Sequence, residues 1–315
     1  MNRAENLLVV GGSGFVGRHL VAALAARGAR VTVPARRRER AKHLLLLPTV
    51  EVVETDVTAP GAETSAQGAL GALVAGRDAV INLAGVLHGP DFSRVHVELP
   101  QAIARACREH GVRRFLHLSA LGAAPDAPSE YLRSKGLGER AVLAAPELDA
   151  TVFRPSVVFG PEDSFLNLFA ALARWLPVLA LACPGAKFQP VYVGDVVRAI
   201  LAALHERASF GKSYDLGGPR VYALIDLVQY VCDITGRRRW VIGLSDRLSK
   251  WQALAMEYSP WPLLTRDNYL SMQVPSVSMV PFPFGIQPAA LESLAPSWLA
   301  PGGDRFPELR AHARR

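Results

Sequence analysis

Residues 7–17 of the 315-residue chain read LLVVGGSGFVG, an apolar run without charge that stops in glycines. Four successive apolar residues, Leu7, Leu8, Val9 and Val10, suit a strand buried on both faces of a parallel sheet. Beyond the glycines, Val16, Leu20 and Leu24 recur every four residues on one helical face, and Gly28 stands where such a helix would close. The segment is therefore expected to run strand, tight turn, helix. Gly11 and Gly12 permit the turn, Gly14 lets backbone approach a ligand, and Gly17 lets the helix pack against the strand. First-turn N–H groups then point at an anion, which in this arrangement is the pyrophosphate of a dinucleotide. Ser13, Phe15 and Val16 complete the expected contact set. Both Gly12-x-Gly14-x-x-Gly17 and Gly11-x-x-Gly14-x-x-Gly17 are satisfied, so spacing does not choose a subfamily.

The second strand, over 30–34, ends about twenty residues past the glycines, where the adenosine ribose is read. A site for the unphosphorylated coenzyme normally offers a carboxylate there, whereas this chain offers Arg36, Arg37 and Arg38. A carboxylate repels a 2′-phosphate; a guanidinium grips it with paired, charge-assisted hydrogen bonds. NADP(H) is therefore favoured over NAD(H), with Arg36 and Arg37 carrying the preference. At least one arginine of the RRRER run is expected to be no more than the solvated start of a helix.

Strand and helix patterns alternate for two hundred residues, with further strands over 50–55, 79–83, 115–119 and 151–159 and helices over 69–75, 95–110 and 131–144. The expected fold is α/β, a Rossmann-type doubly wound parallel sheet with a smaller C-terminal cap lobe. Its parts are a dinucleotide-binding core over 1–160, a cap lobe over 161–255 with strands and helices returning to the core, and a proline-rich wrap over 256–315. Ligands bind at the C-terminal strand ends, where Asp56, Asn82, Ala84, Gly85 and Ser119 fall. In the cap, helices are expected over 164–176, 195–205 and 224–235, and strands over 213–216 and 240–242. Arg174 and Pro177 interrupt the apolar stretch 165–183, so a buried helix and a loop are expected there, not a membrane span. An apolar surface lying against a membrane or membrane protein is the second reading of that stretch.

The formal charge of +7 raises nucleic acid or acidic lipid as partners. Its arginines cluster only at 36–40, at 237–239 and in the tail at Arg310, Arg314 and Arg315, without interleaved aromatics, so nucleic acid is not expected. Residues 1–6 are too short and polar to direct export, and Cys107, Cys183 and Cys232 show no metal or redox spacing. A cytoplasmic protein, or one peripheral at the inner face of the cell membrane, is expected, with no transmembrane span and no metal site. His88, His96 and His110 read as surface or helix-polar residues, and Asp195 as a loop anchor. Trp251, Trp261 and Trp298 fall in the weakly patterned C-terminal third and read as packing residues or partner anchors.

Tyr131 and Lys135 stand four apart on a predicted helix and share a face. An ammonium beside a phenol stabilises the phenolate and lowers its pKa, which would make proton exchange with a substrate hydroxyl or carbonyl feasible at neutral pH. With these residues the chain resembles the extended type of the short-chain dehydrogenase/reductase superfamily. Gly11, Gly14 and Gly17 match its cofactor motif, Asp56-Val57 its adenine contact, Asn82-Leu83-Ala84-Gly85 its fourth strand, and Tyr131 and Lys135 its active-site pair. Arg154-Pro155, Val158-Phe159-Gly160-Pro161, Asp195-Val196 and Tyr214-Asp215-Leu216-Gly217-Gly218 extend the match, and the resemblance implies cofactor contacts at Pro155 and Val158.

Residues 117–123 (HLSALGA), 131–135 (YLRSK), 153–160 (FRPSVVFG), and Thr265-Arg266-Asp267-Asn268 with Ser271-Met272-Gln273 are more narrowly similar to one atypical family. It is the family of the Rossmann-fold accessory subunit nine of mitochondrial complex I and its bacterial homologues. That resemblance implies NADP(H) binding and an accessory or assembly role beside the respiratory chain or in quinone metabolism. Active extended members usually carry the catalytic Ser or Thr about two residues beyond Ser119, where this chain has Ala120 and Leu121. A missing hydroxyl there removes help at a developing oxyanion on the order of 3 kcal/mol. Two readings stay open: a protein whose nucleotide is mainly structural, and an active oxidoreductase or sugar-nucleotide epimerase or dehydratase using Tyr131, Lys135 and Ser119.

Overall fold

The computed structural model describes residues 5–59, 68–259 and 263–302. Pro260, Trp261, Pro262 and the arginines of the tail lie outside them. Two compact units result, one from Met1–Arg154 with Val196–Asp215 and one from Pro155–Asp195 with Leu216–Arg315.

The first unit alternates β1 (Asn6–Val10), α1 (Phe15–Ala26), β2 (Arg30–Ala35), β3 (Val50–Glu54), α2 (Ala69–Val74) and β4 (Ala79–Asn82). It continues through α3 (Leu99–Glu109), β5 (Arg114–Leu118), α4 (Glu130–Leu143) and β6 (Asp149–Pro155). With a seventh strand, Lys212–Leu216, the sheet order is Lys212–Leu216, β6, β5, β4, β1, β2, β3. Every pairing among β1 to β6 is parallel. The chain leaves β1 in one direction for β2 and β3, then returns to its other side for β4, β5 and β6. The strand order thus reverses between β1 and β4, which pair Val10 with Asn82 at their C-terminal ends. A crevice for a ligand opens at such a switch point.

Burial on both faces explains the unbroken apolar runs. Leu8, Val10, Val80, Phe115 and Val152 of the sheet pack against Leu73 of α2, Ile103 and Cys107 of α3 and Val142 of α4. Each large apolar side chain so removed from water contributes about 1.5–3 kcal/mol before entropy is counted.

Two expected elements are divided, each at a proline. The helix expected over 95–110 begins as a π-helical turn, Arg94–Glu98, before α3. Pro100 has no N–H to return to the His96 carbonyl, so an uninterrupted α-helical ladder cannot form there. The strand expected over 151–159 stops at Pro155 and resumes as Val158–Phe159, which pairs with Val191–Tyr192.

In the second unit, Phe159, Leu166, Leu227, Val231, Leu291 and Trp298 form one core, and Ala173, Leu179, Leu181, Val228 and Cys232 another. The loop expected after residue 176 contains the strand Val178–Leu181, parallel to Trp240–Gly243. An unanticipated helix spans Asp246–Glu257. Buried Asp195, expected as a loop anchor, accepts the Ala289 N–H at 2.6 Å and so holds the C-terminal segment. Among the described residues no helix is long and apolar enough to cross a membrane, and no His/Cys/Asp/Glu group could hold a metal.

Candidate functional site

The glycine turn takes the conformation that its residues require. Gly11 adopts φ +79°, and the Gly14 N–H donates to the Gly11 carbonyl at 3.0 Å. A Cβ on Gly17 would collide with the Gly11 carbonyl and come within 2.6 Å of Gly12 Cα, so only glycine lets α1 start this close to β1. Gly14 is the N-cap of α1; no side chain caps the helix and its first turn holds no acid. Positive backbone dipole therefore faces the switch point beside Ser13, Phe15 and Val16, an arrangement suited to a pyrophosphate.

At the end of β2, Arg36 and Arg37 are exposed, and among the described residues no hydrogen bond or ion pair engages either guanidinium. Arg38 is the solvated helix start: it opens a short turn, Arg38–Leu44, and its N–H donates to Glu54 Oε2 at 3.2 Å. Asp56 follows β3, next to Val57, and accepts the Thr58 N–H at 2.9 Å and hydroxyl at 2.6 Å. Burial opposes ionisation of Asp56, but those bonds and the charges of Arg36 and Arg94 outweigh it and leave the carboxyl below its usual value.

At the ends of β4 and β5, buried Asn82 accepts the Ala84 N–H at 3.1 Å and donates through Nδ2 to His117 Nδ1 at 3.2 Å. His117 therefore carries its proton on Nε2, which has no partner among the described residues. Burial, with Lys135 and His96 nearby, holds its pKa well below the ordinary histidine value. Ser119 donates its N–H to the Phe153 carbonyl at 2.7 Å, while its hydroxyl is buried without a partner among the described residues.

Ser129 caps α4 by accepting the Leu132 N–H at 3.2 Å. Tyr131, Lys135 and Glu139 follow at intervals of four on one face. The Lys135 ammonium is buried against the Leu118 carbonyl at 3.0 Å, and burial lowers its pKa to about 8. The Tyr131 ring meets Phe92 and His96 edge-on, with centroids 6.2 and 5.5 Å away. Burial pushes its phenol up to about 12, opposite to the lowering expected from a neighbouring ammonium. Glu139 forks onto Arg154 Nε at 2.9 and 3.0 Å, and Arg154 reaches Asp215 at 3.8 Å, fixing α4 to β6 and to the strand beyond.

His96 is the site residue that sequence reasoning missed. Expected as a surface or helix-polar residue, it is buried, accepts the Val86 N–H at Nε2 over 3.0 Å and bonds Ser134 Oγ through Nδ1 over 2.9 Å. Ser134 in turn donates to the Tyr131 carbonyl at 2.9 Å. Burial, reinforced by Lys135, lowers the His96 pKa to about 3, so the ring is neutral and its Nδ1 carries the proton. Gly138 makes this approach feasible, because a Cβ there would collide with the His96 carbonyl. The one available signal was Pro100, four residues on, which forecast a broken ladder.

The first unit thus brings together the glycine turn, Asn82, Ala84 and Gly85 at the switch point, Ser119 just past β5, and Tyr131 and Lys135 on α4. Arg36, Arg37, Asp56 and Val57 stand at the ends of β2 and β3. Pro155 ends β6 and Val158 opens the next strand; both belong to the second unit. The uncapped helix terminus, the close-packed glycines and the orphaned donors at His117 and Ser119 fit a nicotinamide dinucleotide.

Comparison with known proteins follows the same lines. Residues 7–217 match the model of the NAD dependent epimerase/dehydratase family. The chain is 35% identical over 299 residues to NADH dehydrogenase [ubiquinone] 1 alpha subcomplex subunit 9, mitochondrial, of Mus musculus, covering 90% of this chain and 77% of that protein. It is also 35% identical over 198 residues to the ceramide reductase of Caulobacter vibrioides, covering 62% of this chain and 59% of the reductase. In fold it is similar to a DesIV double mutant, a dTDP-glucose 4,6-dehydratase from Streptomyces venezuelae with NAD and DAU bound. That similarity has a TM-score of 0.66 at 24% identity, over 77% of this chain and 85% of that one. With its seven-stranded sheet, its glycine turn and its Tyr131–Lys135 pair, the chain belongs to the NAD dependent epimerase/dehydratase family, the extended short-chain dehydrogenase/reductases.

Proposed function

We propose that this chain binds NADP(H) as a largely structural ligand and serves as an accessory or assembly factor of respiratory complex I or of quinone metabolism. The observation that carries the coenzyme preference is the pair of exposed guanidiniums, Arg36 and Arg37, without a hydrogen bond or ion pair among the described residues, where a carboxylate would be needed to favour NAD(H). The α1 terminus would hold the pyrophosphate, Asp56 and Val57 the adenine, and Lys135 the nicotinamide ribose. When bound, NADP(H) supplies a hydride donor or acceptor at its nicotinamide ring. The residues around that position favour holding over turnover: the Tyr131 phenol is pushed up to about 12, and the Ser119 hydroxyl is buried. The partner follows from similarity to a complex I subunit over most of both chains.

A second reading, an active NADP-dependent reductase, is favoured by retention of Tyr131 and Lys135 on one helix face and by similarity to a ceramide reductase. Tyr131 would then protonate the oxygen of a carbonyl whose carbon receives hydride, with Lys135 supporting the phenolate.

The separating experiment is to purify the protein, identify its bound nucleotide and assay NADPH oxidation against carbonyl and quinone acceptors with and without Tyr131→Phe. The structural reading expects NADP(H) to be retained in both forms, with no turnover to lose. Turnover that collapses in Tyr131→Phe while nucleotide remains bound would overturn it in favour of the reductase. Co-migration with complex I on a native gel is the expected partner result; migration only as a free oligomer would contradict it.

A further inference from the structure

The second unit leaves an apolar and aromatic surface in water. In the strand pair Val178–Leu181 and Trp240–Gly243, register sets Val178 beside Trp240 and Ala180 beside Ile242. Leu179 and Leu181 point into a core, while Val178, Ala180, Trp240 and Ile242 are exposed on the opposite face. A strand pair with one wet face normally alternates apolar with polar residues, and this pair is apolar on both.

The helix Asp246–Glu257 adjoins the strand Val178–Leu181. Gln252 Nε2 donates to the Ala180 carbonyl at 2.9 Å, and Ser249 Oγ accepts the Cys183 N–H at 3.1 Å. Its inner side buries Ser249 and Ala253. Its outer side shows Leu248, Trp251 and Ala255 in a second apolar stripe, which Tyr258 just past the helix continues. Trp175, at the end of the helix Leu166–Trp175, stands three residues before Val178. Trp175, Trp240 and Trp251 are 77%, 75% and 69% exposed, so the indoles are presented to solvent.

Cations accompany the indoles. The Arg174 guanidinium lies over the Trp175 ring at 5.3 Å, and Arg239 Nε holds the Ala173 carbonyl at 2.7 Å. Among the described residues no ion pair engages Arg174, Arg238, Arg239 or Arg247. Of the acids along these segments, Asp246 pairs with Lys250 at 2.9 Å and Glu257 with Arg266 at 2.8 Å, while Asp233 accepts from Gln229 Nε2 at 3.0 Å. The patch therefore has an excess of positive charge, in a chain of net charge +7.

We propose that this face docks on the surface of an anionic phospholipid bilayer. Indoles sit at the level of the headgroups, short aliphatic side chains enter just below them, and arginines on the same surface meet the phosphates. The positive excess of these segments is complementary to the anionic headgroups of such a bilayer. Docking of this kind leaves the chain peripheral, consistent with the absence of a spanning helix among the described residues.

The test is sedimentation of the full chain with phosphatidylcholine vesicles, with and without phosphatidylglycerol, read together with tryptophan emission in the presence of brominated lipid. Binding at least about tenfold stronger to the anionic vesicles is expected, weakening with salt, with blue-shifted emission quenched by bromine. A Trp175→Ser, Trp240→Ser, Trp251→Ser variant is expected to lose binding about tenfold or more, and Arg238→Glu with Arg247→Glu comparably. All five positions lie at the surface, and an unchanged circular dichroism spectrum and unfolding midpoint would certify folding. Failure to bind anionic vesicles would overturn the proposal, as would binding that the tryptophan variant leaves intact. So would self-association of the wild type that the Trp240 substitution abolishes, which would assign the patch to a second copy of the chain.

Discussion

Neutral His96 closes a relay of hydrogen bonds from the Val86 amide through Ser134 to the Tyr131 carbonyl, and a second proton would break it, since Val86 can only donate. The pH consequence follows from the lowered value. The unfolded chain takes up a proton near the ordinary 6.5, whereas the fold refuses it until about 3. Stability is thus complete above pH 6.5 and lost as the pH falls toward 3, at about 1.4 kcal/mol per pH unit for one histidine. His117, lowered in the same direction, adds a second proton to that slope. Urea unfolding followed across this window should show a proton uptake that His96→Ala reduces by about one. At neutral pH the same variant should lose about 1–3 kcal/mol, because the half-buried Val86 amide and the buried Ser134 hydroxyl lose a partner. An unchanged midpoint would contradict the relay. The turn through Gly11, Gly12, Gly14 and Gly17 and the placing of Tyr131 and Lys135 on one helix face were legible in the sequence, because both are tied to local spacing. His96 was not, since its partners lie ten residues upstream at Val86 and thirty-eight downstream at Ser134.

Between elements, α4 seats on the turn Arg94–Glu98 through Gly138, whose missing side chain leaves room for the His96 carbonyl. Gly138→Ala should cost about 1–3 kcal/mol by overpacking, measured as a shift in the urea midpoint, and should disturb nucleotide retention as Tyr131 and Lys135 move with the helix. A variant as stable as the parent would contradict this packing. The sheet was readable because β1 and β4 are buried on both faces and carry the apolar runs LLVV and AVI, whereas β5, equally buried, reads RFLHL with Arg114 and His117 inside it. Its interruptions were marked by Pro100 and Pro155, but the alternation on either side concealed them. The strand Val178–Leu181 was hidden for another reason. Its partner lies 62 residues later, and its exposed Val178 and Ala180 blurred it into the apolar run before it. The helix Asp246–Glu257 carries apolar residues on two sides, which obscured its periodicity.

Over the whole chain, the C-terminal third does more than wrap a surface. Leu291, Ala295, Trp298 and Leu299 enter the core of the second unit, and Trp298 stacks on Phe159 with centroids 6.4 Å apart. Trp298→Ala should therefore cost about 3–5 kcal/mol, seen as a lowered unfolding midpoint; a negligible shift would place that segment outside the core. Composition could not reveal this, because prolines at 275, 281, 283 and 288 punctuate the segment while its core residues are only a few positions long. The central claim for the molecule is that guanidiniums at the end of β2 select the phosphorylated coenzyme. It is tested most directly by titrating NADPH and NADH into the wild type and into an Arg36→Ala, Arg37→Ala variant. NADPH should bind the wild type at least about tenfold more tightly than NADH, and the variant should weaken NADPH by about 10- to 100-fold while leaving NADH unchanged. Equal or tighter binding of NADH, unaffected by removal of both arginines, would contradict the account.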